Sequence, residues 1–224
     1  MAKYSRSLFV VLLSFFSSLS FAQVQFKLPG NVAFTPTVSL DSVVYKWNSR
    51  LTMATLSETD KEFFYWLNYS RINPKRFYDS IVVPIVSAYP SLKQDGYVAS
   101  LQKDMYATSS LPMLRVNDTL VRTARAHILD LIKSKPKISH SSSDGTTMAE
   151  RLQKAGINTC GSENIGFGPG GPVFCLTLLY IDLGVPSVGH RKSLLNSSFE
   201  SVGIATASYQ EKVMLSVTDF ACPL

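Results

Sequence analysis

Apolar residues recur at helical spacing through most of the chain, and alternation typical of strands becomes prominent only near its end. The clearest helix is predicted over 118–134, where the apolar side chains fall on one face at 3.6-residue spacing. Residues 201–208 and 212–219 alternate apolar and polar positions around a polar turn near Gln210 and Glu211, which predicts a hairpin. Helices that mostly precede the strands, with short connections, predict an α+β fold rather than alternating α/β units.

Capping residues, prolines and glycines mark the boundaries of the other elements. The predicted elements are a strand or short helix at 40–47, a helix from Ser57 to Asn73, a second helix from Pro74 that Pro84 kinks or ends, a partly helical stretch at 91–110, a loop at 138–145, a helix at 146–155, a strand at 163–167, a turn at 168–171 and a helix at 173–183. The central elements therefore alternate between helix, loop and strand over short distances.

The start of the chain has the pattern of a secretory signal peptide. Lys3 and Arg6 give a short positive segment, an apolar core follows at 8–16, and Ser20–Ala22 fits a small-x-small cleavage site before Gln23. The alternative is a membrane anchor, but an apolar core of about 10 residues is shorter than the roughly 20 needed to span a bilayer. No other stretch approaches that length. We therefore predict export to an extracellular, periplasmic or cell-surface location, with no transmembrane segment after cleavage.

Composition excludes several classes of protein. Hydrophobic residues make up 46% of the chain and charged residues 17%, which is typical of a globular domain and not of a disordered segment. The formal net charge is +6, but there is no Lys/Arg run and no basic stripe interleaved with aromatic residues, so nucleic acid is not a predicted partner. The predicted organisation is a signal peptide at 1–22, an N-terminal extension at 23–57 and one domain at 58–222.

The cysteines allow several pairings. Cys160, Cys175 and Cys222 all lie in the mature chain, and an oxidising compartment permits one disulfide among them with one thiol left over. Cys160 and Cys175 flank the glycine-rich segment, but Cys222 is an equally good partner, so the sequence leaves all three pairings open. The alternative is that all three are free and buried.

The residues with the most chemical potential lie in one central segment. His140 and His190 each adjoin glycine and serine, which predicts that loops display both side chains. Glu163 begins a predicted strand, Asp182 ends an apolar helix, and Asp144 is a third carboxylate within reach. Two imidazoles and a carboxylate are the minimal set for an open divalent-metal site, usually of zinc, and they also suit general acid–base chemistry. No HExxH or CxxC spacing is present, and the alternative is that the two histidines separately satisfy backbone groups.

Three further patterns are assigned structural roles. His127 lies at the edge of the apolar face of the 118–134 helix and is predicted to be a packed, hydrogen-bonded core residue. The GFGPGG segment at 166–171 is predicted to be a turn, because Pro169 removes an amide donor that a phosphate-binding loop needs. The serines that follow His140 lack the GxSxG context of a nucleophile elbow, so a serine hydrolase is not predicted.

Short motifs follow one another in order along residues 58–222. They are Leu67-Asn68 with Arg71, Asn73 and Pro74; Leu111-Pro112 and Leu114; Ala124 and His127; His140-Ser141; Asp144-Gly145; Arg151; Gly156; Glu163-Asn164-Ile165; Gly189-His190-Arg191; and Val202-Gly203. This series resembles the CAP superfamily (cysteine-rich secretory proteins, antigen 5 and pathogenesis-related 1), also called the SCP domain. It is most similar to the bacterial branch, in which GHR stands where eukaryotic members have GHYTQ.

The resemblance implies an α-β-α sandwich, with a central antiparallel sheet between helical layers, and a surface cleft lined by two histidines and two acidic residues. In this chain these residues would be His140, His190, Glu163 and Asp182, with Leu179 at the position of a family tryptophan. Members of the family are associated with zinc or another divalent metal in the cleft, with sterol and lipid binding, and occasionally with proteolysis.

These observations predict a secreted CAP-domain protein whose cleft binds a divalent metal through His140 and His190. Glu163 would be a further ligand or would orient a bound water, and Asp182 would be a fourth member, one methylene shorter than the family's glutamate. One alternative is a metal-dependent hydrolase, a protease or esterase with Glu163 as the base. Another is a scaffold that binds a small molecule, lipid or peptide without metal. The sequence does not decide whether the protein is an enzyme.

Overall fold

The computed structural model describes residues 34–134, 138–209 and 213–224. The predicted signal peptide and the predicted turn at Gln210 and Glu211 lie outside the described residues. The helices are α1 (Ser42–Asn48), α2 (Glu58–Ile72), α3 (Pro74–Phe77), α4 (Val83–Ala88), α5 (Tyr97–Ala107), α6 (Asp118–Lys133), α7 (Met148–Lys154), α8 (Gly171–Ile181) and α9 (Gly189–Leu194). The strands are β1 (Arg115–Val116), β2 (Gly161–Gly168), β3 (Ser201–Tyr209) and β4 (Val213–Ala221).

Side-chain caps begin α2 and α6 at the predicted places. The Ser57 hydroxyl accepts from the amide of Asp60, and the Asp60 carboxylate accepts from the amide of Ser57, which forms a capping box at the start of α2. The Asn117 side chain accepts from two amides of the first turn of α6. Thr147 caps α7, so this helix begins two residues later than predicted. These contacts are local, which is why the sequence indicates them.

The second predicted helix changes its geometry shortly before Pro84. The α-helical turn that Pro74 opens ends at Phe77, a π-helical turn follows over Tyr78–Val82, and α4 begins one residue before Pro84. A proline has no amide hydrogen and its ring meets the carbonyl four residues earlier, so a wider turn before it accommodates the ring. Pro84 therefore does not end the helix, since α4 continues to Ala88.

The sheet has the strand order β1-β3-β4-β2. The β3/β4 and β2/β4 pairs are antiparallel, but β1 lies parallel to the start of β3, with Arg115 beside Ser201. The expectation of a wholly antiparallel sheet is therefore wrong at one edge. The reason lies in the connection: β1 reaches β3 only after α6, α7, β2, α8 and α9, and such a crossover permits parallel pairing, whereas a tight hairpin does not.

Helices cover both faces of the sheet. On one face, α6 packs against Ala205, Leu215 and Val217, and on the other, α2 and α8 pack against residues that include Ile204 and Phe220. This is the three-layer α-β-α sandwich expected for the fold class. None of the helices in the described ranges is both long and apolar enough to cross a membrane.

One disulfide lies at one end of the β2/β4 pair, where it joins the start of β2 to the end of β4. Cys160 is bonded to Cys222 across a sequence separation of 62 residues, which selects one of the three pairings that the sequence leaves open. Cys175 is a free thiol inside α8, where burial raises its pKa to about 12 and the Ser216 hydroxyl lies 3.3 Å away. Burial in an apolar helix keeps this third cysteine unreactive.

Candidate functional site

The candidate site is built along β2, which is an edge strand of the sheet. Successive residues of a strand point to opposite faces, and Glu163 and Asn164 are successive. Glu163 points toward α6, where it approaches His127, whereas Asn164 points toward the α8 side and donates to the carbonyl of His190 over 3.1 Å. Residues of β2 thus lie close to both histidines that the sequence predicts for the site.

His140 and Glu163 form a hydrogen-bonded pair. The Nδ1 atom of His140 lies 2.8 Å from Oε1 of Glu163, and Nη2 of Arg151 donates to Oε2 over 2.5 Å. The carboxylate is fully buried, whereas the imidazole side chain is 50% exposed. Because a carboxylate can only accept here, Nδ1 carries the proton and Nε2 is the lone-pair nitrogen of the neutral ring.

Arg151 fixes the loop that carries His140. Its Nη1 atom donates to the carbonyls of His140 and Thr146, over 2.9 and 3.2 Å, while its Nη2 atom donates to Glu163. This guanidinium therefore ties the loop, α7 and β2 together. Asp144 does not join the site: it accepts from the amide of Thr146 within its own turn.

His127 has the structural role predicted for it. Its Nε2 atom lies 2.9 Å from the carbonyl of Ser139, and burial, more than any other effect, lowers its pKa. The same nitrogen lies 3.8 Å from Oε1 of Glu163. His127 therefore supports the loop before His140 and also borders the buried carboxylate, a proximity that the helical pattern of the sequence does not reveal.

Asp219 is a site residue that sequence reasoning missed. It lies opposite Glu163 in the β2/β4 register, is 1% exposed, and accepts from the Thr123 hydroxyl over 2.6 Å. Burial and the charge of Glu163 raise the pKa of Asp219 well above its usual range. The sequence contained a signal for this position. Asp219 lies two residues from Val217 and two from Ala221, so in a strand its carboxylate shares the inward face of these two apolar residues.

Glu163 remains the ionised partner of this acid pair. Burial acts to raise its pKa, but the hydrogen bond from His140 and the charges of His127 and Arg151 outweigh burial, and the pKa is lowered. Asp219 is therefore the member of the pair that binds a proton more readily.

His190 and Asp182 form a second pair. The Nδ1 atom of His190 lies 2.5 Å from Oδ1 of Asp182, and Oδ2 of Asp182 accepts from the amide of Arg191 over 3.0 Å. Asp182 is buried, and the His190 side chain is 12% exposed. His190 lies in the first turn of α9 and not in a loop, so the predicted loop display is wrong for this residue. The glycine before it begins a short helix instead of extending the loop.

Asp182 of this pair and a residue just before His190 both have an uncommon backbone conformation. Asp182 has a φ of 58° at the end of α8, and Val188, two residues before His190, has a φ of 46°. The left-handed region is unfavourable for a β-branched residue such as valine. The buried Arg191 holds α9 in place, since its guanidinium donates to the carbonyl of Tyr180 and to Asp104.

The four sequence-predicted residues are thus arranged as two imidazole–carboxylate pairs. Glu163 and Asp182 each bond the Nδ1 atom of a histidine, a position that orients the ring, and Glu163 has hydrogen bonds at both oxygens. Across residues 34–134, 138–209 and 213–224, no three histidine, cysteine or carboxylate side chains are grouped so that they could hold one metal ion. The donors that fit a metal in this arrangement are the imidazole Nε2 atoms, with the carboxylates behind them.

A family model described as the cysteine-rich secretory protein family (CAP) matches residues 68–220. Among solved structures, the chain is similar to an extracellular protein containing an SCP domain from Bacillus anthracis, with 24% identity and a TM-score of 0.42 over 60% of this chain. The match covers 41% of the Bacillus chain, so this protein spans less than half of that length. An outer surface protein of Borrelia burgdorferi is 21% identical, with a TM-score of 0.42, over 62% of this chain and 92% of that chain. A comparison with curated proteins gave no match.

Proposed function

The chain belongs to the CAP, or cysteine-rich secretory protein, family, and we propose that it is an exported binding protein whose cleft takes up a divalent metal through His140 and His190. The single observation that carries the proposal is that a buried carboxylate bonds the Nδ1 atom of each imidazole. Metal-binding histidines are usually oriented in this way, because the carboxylate fixes the tautomer and raises the basicity of Nε2. Imidazole nitrogen suits zinc well, so zinc is the metal to test first.

Export is the second part of the proposal. The segment from Lys3 to Ala22 supports it by its positive start, apolar core and small-residue end. The Cys160–Cys222 disulfide also supports it, since such bonds persist mainly in oxidising compartments. Secretion can be tested by locating the cleaved protein after expression of the full chain: a product that begins near Gln23 outside the cytoplasm is expected, and an uncleaved cytoplasmic product contradicts it.

No reaction is part of the proposal. Glu163, the base expected for a metal-dependent hydrolase, is buried and already accepts hydrogen bonds from His140 and Arg151. A base toward a bound water needs an oxygen directed at that water. The arrangement therefore favours a binding role for the cleft over hydrolysis.

Zinc calorimetry on the exported form, near neutral pH, tests the metal site. We expect binding by the wild type and loss of binding in the His140→Ala/His190→Ala double variant. The matched control is Asp144→Asn, since this exposed carboxylate lies in the same loop but bonds only within its own turn. Absence of zinc binding by the wild type, or equal binding by the double variant, would overturn the proposal.

A further inference from the structure

Two buried polar side chains face each other on β2 and β4 without a hydrogen bond between them. Asn164 and Thr218 are register partners, and they are 1% and 0% exposed. Both follow inward residues of the α6 face by one position and so point to the α8 face. Within the described chain, Oδ1 of Asn164 and Oγ1 of Thr218 have no hydrogen-bond partner. Native proteins rarely leave such atoms unpaired, and internal water is the usual partner when no side chain serves.

The orientation of the Asn164 amide is set by its neighbour. Its Nδ2 atom donates to the carbonyl oxygen of His190 over 3.1 Å. A flipped amide would place two acceptors, Oδ1 and the carbonyl, against each other, so the flip is excluded. Oδ1 is therefore an acceptor directed away from His190, and the Thr218 hydroxyl is a group that donates and accepts.

The next register pair on the same face of the sheet, two residues along each strand, is in tight contact with α8. Gly166 pairs with Ser216, and a Cβ atom on this glycine would lie 3.0 Å from Leu179 of α8 and 3.0 Å from the Ser216 hydroxyl. The Ser216 hydroxyl has a hydrogen-bond partner, since it donates to the Gly166 carbonyl over 3.3 Å. At the Gly166–Ser216 pair the serine hydroxyl thus has a partner, whereas at the Asn164–Thr218 pair one side-chain oxygen of each residue has none.

We propose that Asn164 Oδ1 and Thr218 Oγ1 bind one internal water molecule between β2, β4 and the α8 layer. The water donates to Asn164 Oδ1 and accepts from the Thr218 hydroxyl, and these two partners meet the minimum that an internal water requires. Its consequence is to fix the Asn164 amide, and through that amide the main chain of His190. The water site does not depend on metal binding by the cleft.

A Thr218→Val variant and a crystal structure test the water site together. Valine has the shape of threonine without the hydroxyl, so the variant removes one partner of the water and leaves Asn164 Oδ1 unpaired. We expect the unfolding equilibrium constant of the full chain to rise roughly tenfold or more. The matched control is Thr218→Ser, which keeps the hydroxyl and should show density for the same water.

The sign of the effect separates the alternatives. If the step were dry, Thr218→Val would remove an unpaired buried hydroxyl and leave stability equal or higher. Wild-type crystals diffracting well enough to define internal waters should show one density peak within hydrogen-bond distance of both oxygens. A direct Thr218–Asn164 hydrogen bond in those crystals, or a Thr218→Val protein as stable as the wild type, overturns the proposal.

Discussion

At the scale of single residues, His140 and His190 are bonded to a carboxylate in the same way but differ in their surroundings. Each offers Nδ1 to a buried carboxylate, but His140 is half exposed and His190 is nearly covered. His140 is therefore the more accessible ring, whereas His190 bonds Asp182, a residue with a positive φ. The two rings thus differ in access to solvent while each bonds a buried carboxylate through Nδ1.

Asp182→Asn should weaken zinc binding. Both oxygens of Asp182 accept, one from His190 and one from the amide of Arg191, so an asparagine amide group must turn a donor toward one of these donors. Loss of such a supporting carboxylate typically costs about 10- to 100-fold in metal affinity. Calorimetry measures the change, with Asp144→Asn as the control, and unchanged affinity in a folded Asp182→Asn protein would contradict the orienting role.

Asp219→Asn should change how stability depends on pH. Burial and Glu163 raise the pKa of Asp219 above its ordinary value of 3.8. The protonated group therefore stabilises the fold. Its contribution is complete at pH values below the unfolded pKa and is lost as the pH rises through the folded pKa. Asparagine does not titrate, so the wild type should lose stability relative to the variant as the pH rises from the unfolded pKa through the folded pKa of Asp219. Urea unfolding at stepped pH measures the difference.

Asp130→Asn provides a control of the opposite sign. A hydrogen bond from the Ser143 hydroxyl, over 2.5 Å, is the largest effect that lowers the pKa of Asp130. Its ionised form therefore contributes stability above the unfolded pKa, and the contribution is lost as the pH falls through the folded pKa. The Asp130→Asn protein should differ from the wild type mainly near neutral pH. An Asp219→Asn protein with the wild-type pH slope would show that Asp219 is ionised in the fold.

At the scale of elements, α6 and the sheet approach each other closely at Gly203. A Cβ atom at this position would lie 2.0 Å from the main-chain carbon of Leu120 and 2.3 Å from the amide nitrogen of Val121. The neighbouring atoms are backbone and cannot rotate away. The contact explains why β3 has a glycine between two buried apolar residues, Val202 and Ile204.

Gly203→Ala should destabilise the protein by about 3 kcal/mol, because α6 must move off the sheet to admit one methyl group. Gly189→Ala is the matched control: its Cβ would meet only the Ser187 hydroxyl, at 3.4 Å. We expect the control to change stability by less than about 0.5 kcal/mol. Urea unfolding compares the two, and equal stability of both variants would show that α6 is not seated as described.

At the scale of the whole molecule, the features predictable from sequence are those set by neighbours in the chain. Ser57 and Asn117 begin helices through atoms a few residues away, so their roles can be read locally. The parallel pairing of β1 and the place of Asp219 opposite Glu163 depend on strands that are distant in sequence. Hydrophobic periodicity indicates that a strand exists, but it does not indicate which strand pairs with it. The proximity of Glu163 and Asp219 therefore follows only from the register of the two strands.

The disulfide is another consequence of that register. Gly161 lies opposite Ala221, and the amide of Cys222 donates to the carbonyl of Cys160 over 2.9 Å, so the fold brings these two cysteines together. Cys175 lies inside α8 and is free. Spacing along the chain does not distinguish the three pairings, whereas strand pairing selects one.

Reduction of this bond should destabilise the whole domain. Closing a loop of 62 residues removes conformational entropy from the unfolded chain that corresponds to about 4 kcal/mol. Urea unfolding with and without reductant should therefore show a large loss for the wild type, and the Cys160→Ala/Cys222→Ala variant should match the reduced protein and ignore the reductant. Because the bond joins the start of β2 to the end of β4, the loss should extend to the His140–Glu163 pair, and zinc affinity should fall together with stability. A reduced protein as stable as the oxidised one would mean that the β2/β4 pairing alone holds this side of the sheet.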